Sequence, residues 1–228
     1  MTVNRVLTWD GCNNVRDLGG MKASNGSKTC WGAVVRGDHP SKLKESGWAS
    51  LYEHGIRTII SLRTHGLKED HPIVLPANSD LDVIPVEIEV FTDVDFVKQW
   101  VDTNLWCTPL YYLDALHRWS ERHVAAIRAI AQAKPGGVLI HCGRGYDRTG
   151  IISLLLLSLV GVSSEDILAD YELSVDPERE KLLAERGTTT HDVILKTLES
   201  LDTENYLLSG GLAKTDINAI RARFLEPN

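Results

Sequence analysis

Long hydrophobic runs are missing from this sequence. Its longest apolar stretch, Gly150 to Val162, is about thirteen residues and carries two serines. Crossing a bilayer takes about 20, so the stretch predicts a buried helix and no stable membrane insertion. The first residues, Met1-Thr2-Val3-Asn4-Arg5, lead into polar sequence without the apolar core of a secretory signal. A basic excess is missing too. With 24 Lys and Arg against 31 Asp and Glu, the net charge is −7 and the pI about 5.6, which argues against a broad face for nucleic acid. Cys12, Cys30, Cys107 and Cys142 are scattered with no CxxC pair, so neither a zinc site nor a disulfide framework is indicated. His65 and His71 stand too far from any cysteine or acidic cluster to suggest a metal ligand. No metal and no other cofactor is expected, and the expected setting is reducing and cytoplasmic. No repeat or low-complexity tract divides the chain, so one domain over residues 1–228 is expected.

What is present is an ordinary globular composition, 43% hydrophobic and 24% charged, with strand and helix signals in alternation. Ala33-Val34-Val35 and Arg57 to Leu62 read as strands, the second after a helix-like stretch, Lys42 to His54, that ends at Gly55. Leu81 to Val90 alternates apolar and polar residues and reads as a strand. Residues 91–110, irregular and rich in Asp and Trp, read as a lid or a surface helix. Tyr111 to Ala133 is a long amphipathic helix stopped by Pro135-Gly136-Gly137. Val138 to His141 is an apolar strand of the kind buried in a parallel sheet. Thr149 to Val160 returns to helix, followed by Ser164–Glu172, Glu178–Arg186, His191–Leu201 and Lys214–Phe224. The pattern predicts an α/β fold: a central, mainly parallel sheet flanked by helices, with a helical C-terminal third.

The chemistry concentrates in His141-Cys142-Gly143-Arg144-Gly145-Tyr146-Asp147-Arg148-Thr149-Gly150, a polar loop between a buried strand and a helix. Loop amides and a helix N-terminus make an anion cradle, and Gly143 and Gly145 permit the tight backbone it needs. Arg148 has the planar fork that grips two phosphate oxygens. Cys142 sits in the same positive field, which favours thiolate over thiol. A thiolate facing a bound phosphate predicts attack on phosphorus through a phosphocysteine intermediate. The Thr149 hydroxyl is placed to donate to the sulfur, and His141 to orient the loop. Arg144 and Tyr146 are candidate substrate contacts beside the two glycines. Since the molecule is acidic overall, any anion must be held by local positive charge.

This segment resembles the signature loop of the cysteine-dependent tyrosine and dual-specificity phosphatases, His-Cys-x5-Arg-Ser/Thr. Asn14 to Gly20, Arg36-Gly37-Asp38 and Ser61-Leu62-Arg63-Thr64 resemble the upstream blocks of a bacterial tyrosine-phosphatase branch with lipid-phosphatase relatives. With Asp166 to Glu172, the blocks reach across roughly three-quarters of the chain. The resemblance implies phosphomonoester hydrolysis without metal, acting on a phosphorylated protein or a small phosphate ester. Two positions depart from that branch: Tyr146 replaces a lysine and is similar to dual-specificity enzymes, and Ser61 replaces an aspartate.

A general acid must reach the leaving oxygen. Asp147 lies inside the loop, where the bacterial branch and the myotubularin lipid phosphatases carry an aspartate proposed as the acid. Asp93, then Asp95, follow the Leu81–Val90 strand, where dual-specificity enzymes place a mobile acid loop. Asp17, Asp38 and Asp114 read as structural partners of arginines, and Arg16 and Arg63 as fold-holding ion pairs. Cys12, Cys30 and Cys107 read as bystanders, unless one near the pocket forms a protective disulfide with Cys142. Trp100, Trp106 and Trp119 read as packing for a lid or helix face. Competing readings are a phosphatase of a nucleotide or sugar phosphate, a silent phosphate-binding module, a sulfur-transfer domain, and a merely buried Cys142.

Overall fold

The computed structural model describes residues 4–64, 72–174 and 176–227; His65 and His71 lie outside them. Five strands form one sheet: β1 (Arg16–Asp17), β2 (Val34–Gly37), β3 (Ile56–Ser61), β4 (Asp82–Pro85) and β5 (Gly137–His141). Their spatial order is β1-β2-β5-β3-β4. The last four are parallel, and β1 closes one edge in antiparallel register. The central strands are apolar at successive positions because both faces are covered. Val34, Ile60, Val138 and Ile140 pack into one core with the larger helical layer. Val35, Ile59 and Leu139 turn to the other face, against Leu51 and Trp9, as a two-residue side-chain period requires, and Ile56 joins them across the register shift between Ile56 and Thr58.

The helices are α1 (Glu45–Glu53), a single turn α2 (Val94–Phe96), α3 (Tyr112–Arg118), α4 (Ser120–Gln132), α5 (Asp147–Leu159), α6 (Ser164–Glu172), α7 (Pro177–Ala184), α8 (Thr190–Glu199), α9 (Thr203–Ser209) and α10 (Lys214–Phe224). Helix α5 is apolar all round and buried nearly all round. Each buried Leu or Ile in it contributes about 1.5–3 kcal/mol. It also begins two residues earlier than its apolar pattern suggests, which places Asp147 and Arg148 in its first turn.

Three sequence expectations are corrected. The strand expected over Leu81–Val90 pairs only at Asp82–Pro85, because β3 ends at Ser61 and leaves nothing beyond Pro85 to pair with. The helix expected over Tyr111–Ala133 breaks at Trp119, whose backbone (φ −130°, ψ 43°) leaves the helical region. There Trp119 packs on Phe96 at 4.6 Å between ring centroids, and the Tyr206 hydroxyl donates to the Leu116 carbonyl at 2.9 Å, replacing the helical donor. Helix α9, capped by the Asp202 side chain, lies in a stretch not anticipated as helical.

A buried ionic knot ties the N-terminal segment and β2 to α6. Asp170, 1% exposed, accepts from Arg16 Nε at 3.1 Å, Arg36 Nη1 at 3.0 Å and Arg5 Nη1 at 2.7 Å. Burial alone would raise its carboxyl; the guanidiniums of Arg16, Arg36 and Arg5 outweigh burial and hold it below the ordinary value. Burial and the neighbouring Arg36 draw Arg16 down to about 10, still cationic at neutral pH. Arg16 is thus the fold-holding residue expected. Asp17 and Asp38 are held by other groups than the arginines expected: Asp17 takes His54 Nε2 at 2.7 Å and the Gly19 and Gly32 amides, and Asp38 takes Lys42 and the Asn13 and Asn14 amides.

Asp170→Asn leaves buried guanidiniums without their counter-charge and should cost about 3–5 kcal/mol, lowering Tm by roughly 10 °C in thermal melts followed by circular dichroism. Because the folded carboxyl is depressed, its contribution is complete above the unfolded value near pH 4 and is lost as pH falls through the folded one. The wild type should therefore lose Tm more steeply than the variant below about pH 4.

Candidate active site

The loop between β5 and α5 is shaped from behind. The Gly143 carbonyl accepts from the His39 amide at 3.2 Å, the Arg144 carbonyl from Asn14 Nδ2 at 3.0 Å, and the Gly145 carbonyl from Arg36 Nη2 at 2.8 Å. In a trans peptide the carbonyl and the next amide point to opposite sides. Tying these three carbonyls outward therefore turns the amides of Arg144, Gly145 and Tyr146 the other way, toward the cavity. Gly145 is required: its φ is +73°, and a Cβ there would meet the Gly37 carbonyl oxygen at 2.5 Å. The first turn of α5 has no side-chain cap, since Tyr146 at the N-cap supplies none. Its orphan amides add to a site for negative charge.

The cavity is about 160 Å³ and brings together Cys142, Gly143, Arg144, Tyr146, Asp147 and Arg148, with Trp106, Cys107 and Tyr111 as its other wall. A larger apolar cavity of about 630 Å³, lined by Trp48, Tyr52, Val74, Leu75 and Leu81 among others, shares no residue with it and holds no cysteine and no arginine. The small polar cavity is where reactive groups converge, and we place the candidate site there.

Cys142 is buried. His141, behind it, donates Nδ1–H to the Cys142 carbonyl at 3.0 Å and is pushed down to about 3, by burial first. It is a neutral prop, as expected of an orienting residue. Arg148 lies 5.5 Å from the Trp106 ring centroid, with Nε 3.5 Å from Glu89 Oε2. Burial opposes its charge, but Glu89 and then Cys142 outweigh burial and hold the guanidinium above its ordinary value. Arg148 Nη1 is buried without a hydrogen-bond partner among the described residues, as is the Thr149 hydroxyl. The Thr149–Cys142 hydrogen bond that the sequence suggests is therefore not formed. Asp147 is buried, accepts from the Tyr112 hydroxyl at 3.2 Å, and is raised by burial, against the pull of Arg179 and Arg144. Arg144, half exposed, pairs with Asp176 at 2.7 Å and lies 5.1 Å from the Tyr146 ring centroid.

Asp93 is not part of this group. It caps α2 through the Phe96 amide at 3.0 Å and pairs with Arg118 at 3.2 Å, and those contacts, the Phe96 amide first, hold it below the usual carboxylate range. Neither Asp93 nor the exposed Asp95 lines the cavity. Asp114 does partner an arginine, Arg118, at 2.8 Å. Of segment 91–110, Trp106 and Cys107 reach the cavity, so the segment forms a wall there. Cys107 is thus no distant bystander; burial pushes its thiol up to about 12. Glu89 escaped the sequence reading. In an alternating run it looks like a solvent-facing position, but the chain leaves the sheet at Pro85 and buries it, with Oε1 accepting from Tyr111 at 2.7 Å and Trp106 at 3.3 Å.

The profile of a tyrosine phosphatase family matches residues 7–226. A Cupriavidus necator protein provisionally named a tyrosine-protein phosphatase is 28% identical over 72% of this chain, which spans 61% of that relative's length. A tyrosine-protein phosphatase of Nostoc commune is 25% identical over 84% of this chain and 74% of its own. Among solved structures, TpbA of P. aeruginosa in complex with pTyr is similar at a TM-score of 0.48 and 13% identity, covering 82% of this chain and 91% of that one.

Gly145→Ala should cost about 1–3 kcal/mol for a side chain forced into the left-handed region, and the clash with Gly37 should displace the loop. Phosphate affinity, measured by isothermal calorimetry, should fall together with Tm.

Proposed function

Because the chain belongs to the tyrosine phosphatase family, we propose that it hydrolyses phosphomonoesters at Cys142 in two steps. The observation that carries this reading is the meeting of Cys142, Asp147 and Arg148 in one small cavity at an uncapped helix N-terminus. The phosphoryl group sits on the loop amides, with Arg148 Nη1 taking one of its oxygens. Stabilisation of developing charge by such preset donors is usually the largest catalytic term. The Cys142 thiolate attacks phosphorus, the P–O ester bond breaks, and Asp147 gives its proton to the leaving oxygen. In the second step the Asp147 carboxylate takes a proton from water, whose oxygen attacks the phosphocysteine. The P–S bond breaks and inorganic phosphate is released. Thr149, buried with its hydroxyl unpaired, supports the sulfur as it leaves.

Gly143, Arg144, Gly145, Tyr146 and Thr149 form the substrate-binding group in this reading. Trp106, Tyr111 and Tyr146 line the cavity with aromatic rings, which favours an aryl phosphate such as phosphotyrosine. A dual-specificity range belongs to the same proposal. So does a single domain in which 91–110 serves as the lid. A reducing, cytoplasmic setting fits four free thiols. Among the described residues, no helix is long and apolar enough to cross a membrane.

Cys142→Ser should abolish turnover of para-nitrophenyl phosphate while retaining phosphate binding, with vanadate inhibiting the wild type and EDTA leaving it unaffected. Turnover that survives the substitution and disappears with chelator overturns the reading. Asp147→Asn should lower kcat for phenyl phosphate by about 10²–10⁴, and for the better leaving group of para-nitrophenyl phosphate by much less. Because burial raises Asp147, the wild-type kcat should persist above the ordinary carboxylate range and fall as pH climbs through that raised value. Phosphopeptides compared with nucleoside and sugar phosphates in a phosphate-release assay decide the substrate class.

A further inference from the structure

Three side chains outside the cavity converge on Asp147 from three helices. Tyr112 opens α3, Tyr171 lies in α6 and Arg179 in α7. All are buried, and none lines the cavity. The Tyr112 hydroxyl donates to Asp147 Oδ1 at 3.2 Å. The Tyr112 and Tyr171 hydroxyl oxygens are 2.7 Å apart. Arg179 Nη1 donates to the Tyr171 oxygen at 3.3 Å and stands 3.9 Å from Asp147 Oδ1.

With Tyr112 donating to Oδ1, the remaining directions follow. A guanidinium only donates. With the Tyr112 proton committed to the carboxylate, the proton between the two tyrosines must come from Tyr171. The chain therefore runs in one direction, from Arg179 through Tyr171 and Tyr112, and ends on Oδ1. An oxygen that accepts this bond does not also carry the acid proton, which leaves Oδ2, the oxygen 4.0 Å from Arg144 Nη2, and Arg144 lines the cavity. Room for the tyrosine pair is provided by a glycine. A Cβ on Gly150 would meet Tyr171 Cε2 at 2.7 Å and Tyr112 Oη at 3.0 Å.

We infer that Tyr112, Tyr171 and Arg179 are positioning residues that hold Asp147 by Oδ1 and place its transferable proton on Oδ2, facing the leaving group. The inference rests on the reading of Asp147 as the general acid. Other groups act on Asp147 as well: Arg144 and Arg148 from its own loop and helix, and Cys107, Tyr111 and Glu89 through space.

The test uses Tyr112→Phe in the full chain, with phenyl phosphate and para-nitrophenyl phosphate as substrates. Losing a donor to a carboxylate favours its protonated form, so the high-pH limb of kcat should move upward by about one pH unit. The kcat for phenyl phosphate should fall about tenfold, with KM changed by less than about twofold and para-nitrophenyl phosphate less affected. A merely structural role would lower Tm and leave the pH profile and leaving-group dependence in place, and that outcome overturns the inference. If Tyr112→Phe does not fold, Tyr171→Phe, which keeps the bond to Asp147 and removes its support, should shift the limb the same way by a smaller amount. No shift in either variant, with Cys142→Ser inactive and Asp147→Asn leaving-group dependent, overturns this inference alone. A Cys142→Ser protein that still turns over overturns the underlying reading instead.

Discussion

The geometry of the loop depends on a charge taken out of water. Asp170 is solvated by arginine nitrogens instead of water, and Arg36, one of the three donors, also grips the Gly145 carbonyl. Placing such ions in the interior carries a desolvation cost of several kcal/mol per ion, recovered only when the remaining hydrogen-bonding positions are filled. Here Arg16 reaches the Asp170 backbone carbonyl at 2.8 Å, the Ser174 hydroxyl at 2.9 Å and Asn14 at 2.6 Å. Asn14 in turn holds the Arg144 carbonyl. The N-terminal segment, β2, α6 and the reactive loop are thus one polar assembly, and the direction of the loop amides follows from it.

A second consequence concerns charge. The chain carries a net −7, yet Arg144 and Arg148 line the cavity, and Arg179 stands 3.9 Å from Asp147 behind it. Arginines thus gather around the cavity of a chain that is acidic overall. Their counter-charges are carboxyls of the same site: Glu89 beside Arg148, Asp147 between Arg144 and Arg179. A carboxyl raised by burial, Asp147, and a guanidinium held cationic beside Glu89, Arg148, stand within one small space.

Sequence patterns point to four of the five strands, most of the helices and the loop, because those rest on local rules; β1, two residues long, carries no such signal. An all-apolar Val138–Ile140 run means a strand covered on both faces, and glycines after a cysteine and before a helix are the pattern from which an anion-binding loop is proposed. Residues whose roles come from long-range packing were not visible. Glu89 looked solvent-facing because alternation presumes that the chain stays in the sheet past Pro85. Tyr112 and Tyr171 are 59 positions apart in sequence with no local signal joining them, and only tertiary packing makes their hydroxyls neighbours. The break at Trp119 was equally hidden, since the donor that replaces the helical bond belongs to Tyr206, 90 residues on. Sequence favours Asp147 over Asp93 by its place inside the loop, and burial separates them further: Asp93 caps a short turn near the surface, while Asp147 is enclosed.

Tyr111 and Tyr112 are consecutive, and their hydroxyls serve different masters. The first donates to Glu89, which stands beside Arg148, and the second donates to Asp147. A single peptide unit at the head of α3 therefore carries both hydroxyls, and a slide or rotation of that helix would shift the two contacts together.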